Sequence, residues 1–304
     1  MNVPALGGRR SAVSPYLLLA LTALFWAGNW TIARAMQDSL SPLAMSFWRW
    51  FVALAILLPF VGRALLAERA LIRRHWKILV LLGVLGVGCF NTFVYLGLRY
   101  TTVTTGVLLN SVTPVLILVV AWAALRERIR AGQVAGITLS LAGVLAIVAQ
   151  GDWGRLAGLA LNPGDLWVLG AVAAWAVYTV LLRWRPAELS SASFTGVLIA
   201  VGVLAIAPLY GWDYAQGARV TWSWAVIAAI GYFAIFPSVL AYYFWNAAVA
   251  QVGGHRAGLF LHLVPLFGAG LSVLVLGETL RAYHALGAVL IFGGIAVATR
   301  SRRS

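Results

Sequence analysis

The feature that most constrains this chain is its division into ten apolar runs, each about 20 residues long and separated by short polar breaks. A helix rises about 1.5 Å per residue, so such a run matches the ~30 Å hydrocarbon core of a bilayer. The runs lie near 15–36, 41–61, 77–98, 103–124, 132–149, 164–184, 193–211, 226–248, 255–276 and 283–299. No break between them is long enough for a separate soluble domain. Composition agrees, because 62% of the 304 residues are apolar and only 10% are charged. A soluble domain carries about 25% charged residues, so this chain lacks the polar skin it would need in water. The expected fold is an all-α integral membrane protein with ten transmembrane helices, and membrane lipid is its solvent.

A net charge of +14 raises the possibility of nucleic acid as a partner. The distribution argues against it. Arginines fall in short clusters between apolar runs, such as Arg9–Arg10, Arg69–Arg73–Arg74–Lys77 and Arg126–Arg128–Arg130, which is the pattern of cytoplasmic loops. With both termini cytoplasmic, 16 of the 22 basic residues fall on the inner side. Five are then outside (Arg34, Arg99, Arg155, Arg219, Arg281), and Arg49 is left within a span. The first run has Arg9–Arg10 before it and Ala33–Arg34–Ala35 at its end, the arrangement of a signal peptide and its cleavage site. It is longer than a signal core, however, and carries Trp26, Asn29 and Trp30, so a retained span is expected. Cys89 is the only cysteine, and the four histidines are scattered. No disulfide, metal site or cofactor is expected.

The two halves repeat. Trp26 and Trp175, and Pro59 and Pro208, are 149 residues apart; Pro114 and Pro265, Glu127 and Glu278, Gly136 and Gly287, and Gly143 and Gly294 are 151 apart. Five spans per half is an odd number, so the second unit (164–299) must insert upside down relative to the first (15–149). Inverted repeats are typical of alternating-access transporters.

Thr113-Pro114 through Glu127 to Gly136–Gly143, repeated as Pro265 through Glu278 to Gly293–Gly294, resembles the paired domains of the EamA family. So does Gly164-Asp165-Leu166-Trp167, with Trp175 and Tyr178 beyond it. That family belongs to the drug/metabolite transporter superfamily. The resemblance covers nearly the whole chain and implies export of small metabolites across the bacterial inner membrane. The aromatic amino acid exporters look closest among its branches.

In such folds a substrate sits near mid-depth between the repeats. Trp26, Asn29 and Trp30 in the first span, and Trp175, Tyr178 and Thr179 in the sixth, are spaced i, i+3, i+4 and so share a helix face. Asn91 with Tyr95 and Tyr242 with Asn246 are spaced i, i+4, and Asn110 and His262 precede the central prolines. Polar groups in hydrocarbon need a partner or a wet cavity. Helix-to-helix hydrogen bonding is the alternative for each residue, but as a set they favour a cavity. Two readings stand for Arg49: a structural residue snorkelling to the outer interface, or a forked partner for a substrate carboxylate. The family resemblance favours the first, because members often carry an arginine there whatever they transport. Glu127 and Glu278 read as helix-end contacts with neighbouring arginines. Pro114 and Pro265 are candidate hinges, as mid-helix kinks. With the acidic residues in loops or at span ends, no carboxylate relay crosses the membrane, and His262 is the one candidate for a buried titrating group. The competing classes are a membrane-embedded enzyme, for which no catalytic constellation is present, and a non-transporting scaffold, which the repeat disfavours.

Overall fold

The computed structural model describes residues 13–150, 152, 154, 162–276 and 281–300. Arg9, Arg10, Arg155, Glu278, Arg302 and Arg303 lie outside them. The described residues form helices and no strands. Among the described residues nine helices are long and apolar enough to cross a membrane: α1 (Pro15–Ala35), α2 (Pro42–Ala67), α3 (Trp76–Leu98), α4 (Val103–Leu125), α5 (Ala131–Ala149), α6 (Pro163–Trp184), α7 (Ser191–Ala215), α8 (Trp224–Val252) and α10, whose span ends at Thr299 within Ala282–Arg300. The remaining expected span, 255–276, comes in three pieces: Gly254–Leu259, a 3-10 turn Phe260–His262, and Leu263–Leu276, together α9. Large apolar side chains cover the outer surface, among them Phe60, Leu204 and Val289, as a hydrocarbon solvent requires.

Local chemistry places the helix starts. Pro15, Pro42 and Pro163 open α1, α2 and α6, where the absent N–H has no intrahelical partner to lose. The Ser41, Thr102, Ser190 and Ser223 hydroxyls each accept a backbone N–H of the first turn. At α6 the cap is reciprocal: Asn162 Oδ1 accepts from Gly164 N, and Asp165 Oδ2 accepts from Asn162 N.

Packing pairs exchange one for one between the halves. α1 packs on α8 and α9, while its counterpart α6 packs on α3 and α4; α2 packs on α7, and α5 on α10. The α5–α10 seam is built of small residues, and a Cβ on Gly294 would lie 2.2 Å from Ser140 Oγ and 2.5 Å from the Gly136 carbonyl. Such residues let helix backbones approach where no hydrophobic drive exists between helices.

Two irregularities also recur. α3 contains a π-helical stretch at Val84–Cys89 and α8 one at Ile235–Leu240, at equivalent positions 151 residues apart. Of the two, only the stretch in α8 contains a proline. Pro237 has no N–H to offer the Phe233 carbonyl, and Ser238 Oγ donates to it instead at 2.6 Å. In α4 the helix ends at Asn110 and restarts at Thr113, so Pro114 stands in the first turn of a new segment. Pro265 stands likewise near the start of Leu263–Leu276. The expected mid-helix kinks are therefore replaced by breaks just upstream, where proline is tolerated. Pro59 and Pro208 do sit inside stretches of unbroken α-helix.

Candidate functional site

The aromatic residues of the two halves meet at the centre. The rings of Trp26 and Trp175 cross edge to face at 5.1 Å. Tyr178 and Tyr242 pack on Trp175 at 4.9 and 5.4 Å. Three further rings, which the sequence pattern did not single out, complete the cluster. Trp245 lies 5.4 and 5.5 Å from Trp26 and Trp175, Phe90 lies 4.8 Å from Trp175, and Trp50 lies 4.9 Å from Tyr242. The signal for Trp245 was its place beside Asn246, one turn beyond Tyr242.

Within this cluster lies a cavity of about 10 Å³, room for roughly one water. Half of the expected site residues line it: Trp26, Asn29, Trp30, Asn91, Asn110 and Trp175, with Leu261 and Val264 of α9. The others stand behind that wall. Tyr95 OH donates to Asn29 Oδ1 at 3.0 Å, and Tyr178 OH donates to Asn246 Oδ1 at 2.6 Å. His262 Nε2 lies 2.9 Å from the Ser111 carbonyl; a carbonyl only accepts, so this nitrogen carries the proton. Several buried donors have no partner among the described residues, including Trp175 Nε1, Trp245 Nε1 and Asn246 Nδ2.

Arg49 does not snorkel. It is wholly buried, and its guanidinium joins four helices. Nε donates to Ser238 Oγ at 2.8 Å, and Nη2 to the Pro237 carbonyl at 3.1 Å. Nη1 is shared by Asn29 Oδ1 (2.9 Å), Asn91 Oδ1 (2.8 Å) and Tyr95 OH (2.5 Å). The π-helical stretch of α8 supplies the Pro237 carbonyl, which also accepts from Trp26 Nε1 at 3.0 Å. Its counterpart in α3 exposes the Gly86 carbonyl, which accepts from the Tyr242 hydroxyl. Widened turns of this kind release carbonyls from the helical ladder and recur at functional sites.

A second, larger cleft of about 1100 Å³ opens at one end of the bundle. It is lined by Val13, just before α1, by Leu18 in the first turn of α1, by Arg183 at the end of α6 and by Arg185 just beyond it. Thr179 faces this cleft rather than the inner cavity. At its rim Arg183 pairs with Glu127 at 3.1 Å, across the two halves and with both side chains about half exposed. Glu127 thus meets a distant arginine rather than a sequence neighbour. Arg185 stacks on Phe194 at 4.6 Å, and burial pulls its pKa below the usual arginine value.

The model of the EamA-like transporter family matches residues 13–149 and again 162–300, once per half. The Uncharacterized transporter YyaM of Bacillus subtilis (strain 168) is 27% identical over 287 residues, which is 93% of each chain. The Probable amino-acid metabolite efflux pump of Salmonella typhimurium (strain LT2) is 28% identical over 176 residues, covering 56% of this chain and 58% of that one. Among solved structures, a chain described as "Crystal structure of protein" is similar in fold, with TM-score 0.76 and 23% identity over 97% of this chain and 100% of that one.

Proposed function

This chain belongs to the EamA-like transporter family, and from that premise we propose that it exports small metabolites, aromatic or large neutral amino acids foremost, across the bacterial inner membrane. The mechanism is alternating access between inverted five-helix repeats, 15–149 and 164–299, with both termini in the cytoplasm and α9 counted as the tenth span. The observation that carries this reading is the central cavity, walled by Trp26 and Trp175 from equivalent helices of the two halves and by Asn29, Asn91 and Asn110. Indole faces suit an apolar or aromatic body, since ring pairs contribute about 0.5–1.5 kcal/mol beyond area burial. The asparagines supply hydrogen bonds without net charge. At about 10 Å³ the cavity is too small for an amino acid, so Trp26 and Trp175 part to admit a substrate, and the cleft beside Arg183 and Arg185 is the cytoplasmic approach. A carrier fits this convergence of both halves on one cavity better than a membrane enzyme or a scaffold does.

The test is counterflow into proteoliposomes of the pure protein, with unlabelled compounds as competitors. Phenylalanine, tryptophan and other large neutral amino acids should compete, and sugar phosphates and nucleotide sugars should not. Competition by the phosphorylated compounds, with none from phenylalanine, tryptophan or threonine, sinks the reading.

A further inference from the structure

Arg49 carries a full positive charge into the interior, and every one of its hydrogen-bond partners is a neutral oxygen. None is a carboxylate. A guanidinium only donates, so any amide facing it must present its oxygen. That requirement orients both asparagines. Asn29 Oδ1 is taken by Arg49 and Tyr95, which leaves the Asn29 Nδ2 protons for whatever occupies the cavity that Asn29 lines. Asn91 Oδ1 is likewise held by Arg49, and one of its two Nδ2 protons goes to Tyr242 OH at 3.1 Å. The Trp26 indole N–H is spent on Pro237, while that of Trp175 has no partner among the described residues. Apart from Asn110, whose amide offers both kinds of group, the cavity wall therefore offers donors. A cation stands one residue behind it, and no acidic side chain is in the lining.

From this polarity we propose that Asn29 Nδ2, oriented by Arg49, is the subsite for a substrate carboxylate, and that a substrate ammonium meets no charged partner in the cavity and, among its side chains, only the Asn110 amide oxygen as an acceptor. The preferred ionic form is then a monocarboxylate on an apolar body, so deaminated aromatic acids are carried at least as well as the amino acids. This rests on the transport reading above and sharpens its substrate class. Arg49 acts as a positioning residue, through the amides and through its field, which a medium of low dielectric screens weakly.

The test uses full-length protein in proteoliposomes and competitors matched in body: 3-phenylpropanoate, phenylalanine and phenethylamine. 3-Phenylpropanoate should compete at least as well as phenylalanine, and phenethylamine should be at least tenfold weaker. Asn29→Asp replaces the donor with an acceptor and pairs Arg49. It should lower the acid-to-amine affinity ratio at least tenfold, whereas a general packing defect would weaken both compounds alike. Arg49→Gln, with one amide in place of the guanidinium, should lower the same ratio. Equal competition by phenethylamine and 3-phenylpropanoate, or a ratio unmoved by Asn29→Asp, overturns the proposal. Should no aromatic compound compete, the aromatic reading falls by itself. The same comparison with 4-methylpentanoate and isopentylamine then decides the carboxylate subsite, and a failure of the acid to outcompete the amine there overturns it too.

Discussion

Asn91 and Tyr242 hold equivalent positions in the two halves, 151 residues apart, and they touch: Asn91 Nδ2 donates to the Tyr242 hydroxyl at 3.1 Å. The same separation joins His262 to Ser111, at 2.9 Å, and Ser140 to Ile291, at 3.3 Å. A residue that meets its own counterpart lies where the two halves exchange. Away from that line the contacts come in swapped pairs. Tyr95 donates to Asn29 in one half, and at the equivalent positions Tyr178 donates to Asn246 in the other. Two residues break the pattern: Arg49, whose counterpart 149 residues on is Leu198, and Asn110, whose counterpart 151 residues on is Leu261, both buried and apolar. The polar core pairs asparagine with tyrosine at Asn29 and Tyr178, Asn91 and Tyr242, and Asn246 and Tyr95, and is asymmetric in its charge.

The Asn91–Tyr242 contact is measurable by a double-mutant cycle. Asn91→Ala and Tyr242→Phe, singly and together, should give a coupling of about 0.6–1.7 kcal/mol in thermal unfolding of the detergent-solubilised protein, the range found for hydrogen bonds between membrane helices. Additive effects would show that the two side chains do not share a bond.

Gly294 and Gly211 should respond in opposite ways to an added side chain. Gly294→Val forces a Cβ against Ser140 and Gly136 across the α5–α10 seam, and overpacking of this kind costs about 1–3 kcal/mol. Gly211, in α7, has nothing within 4 Å of where its Cβ would stand. Gly211→Ala should keep or raise the Tm, since alanine is the better helix former by about 1 kcal/mol. Equal Tm values for the two variants would contradict the packing described.

The two central tryptophans differ in what their indole nitrogens do. Trp26→Phe loses the bond to the Pro237 carbonyl and should cost about 1 kcal/mol of stability. Trp175→Phe breaks no hydrogen bond among the described residues and should leave the Tm closer to that of the native protein, while still weakening apparent affinity in counterflow. A larger Tm loss for Trp175→Phe than for Trp26→Phe would reverse the assignment.

Orientation is open to cysteine labelling in a Cys89→Ser background. Ala70 and Gln216 are both exposed, at opposite ends of the bundle in the proposed topology. Gln216 is a better reporter than Asp213, whose carboxylate accepts from Ser41. An impermeant thiol reagent added to intact cells should modify Gln216→Cys and spare Ala70→Cys. The reverse pattern places the termini outside.

Proton coupling is tested by uncoupler. Among the described residues the one buried acid, Asp165, caps the start of α6, and His262 is bonded to a backbone carbonyl. Counterflow exchange should persist when the proton gradient is collapsed. Its loss for a substrate carried without net charge would mark His262 as the first position to replace.

What the sequence determined by itself was whatever depends on local chemistry. The spans were legible because the hydrocarbon thickness demands about 20 consecutive apolar residues, and nine of the ten expected runs coincide with helices long enough to cross, with α2, α7 and α8 a few residues longer. The repeat was legible in prolines and glycines, whose backbone constraints act where they stand. The spacing also brought out Trp26, Asn29, Trp30 and Trp175 as one face each. Only the tertiary structure decided what those faces do. The partners of Arg49 lie 20 to 189 residues away along the chain, so no local pattern distinguishes a snorkelling arginine from one caged by two asparagines. The breaks before Pro114 and Pro265 and the paired π-helical stretches were hidden for the same reason. Each leaves backbone groups that are tolerable in a membrane only where other helices or side chains satisfy them, and which groups do so is a property of the packed bundle.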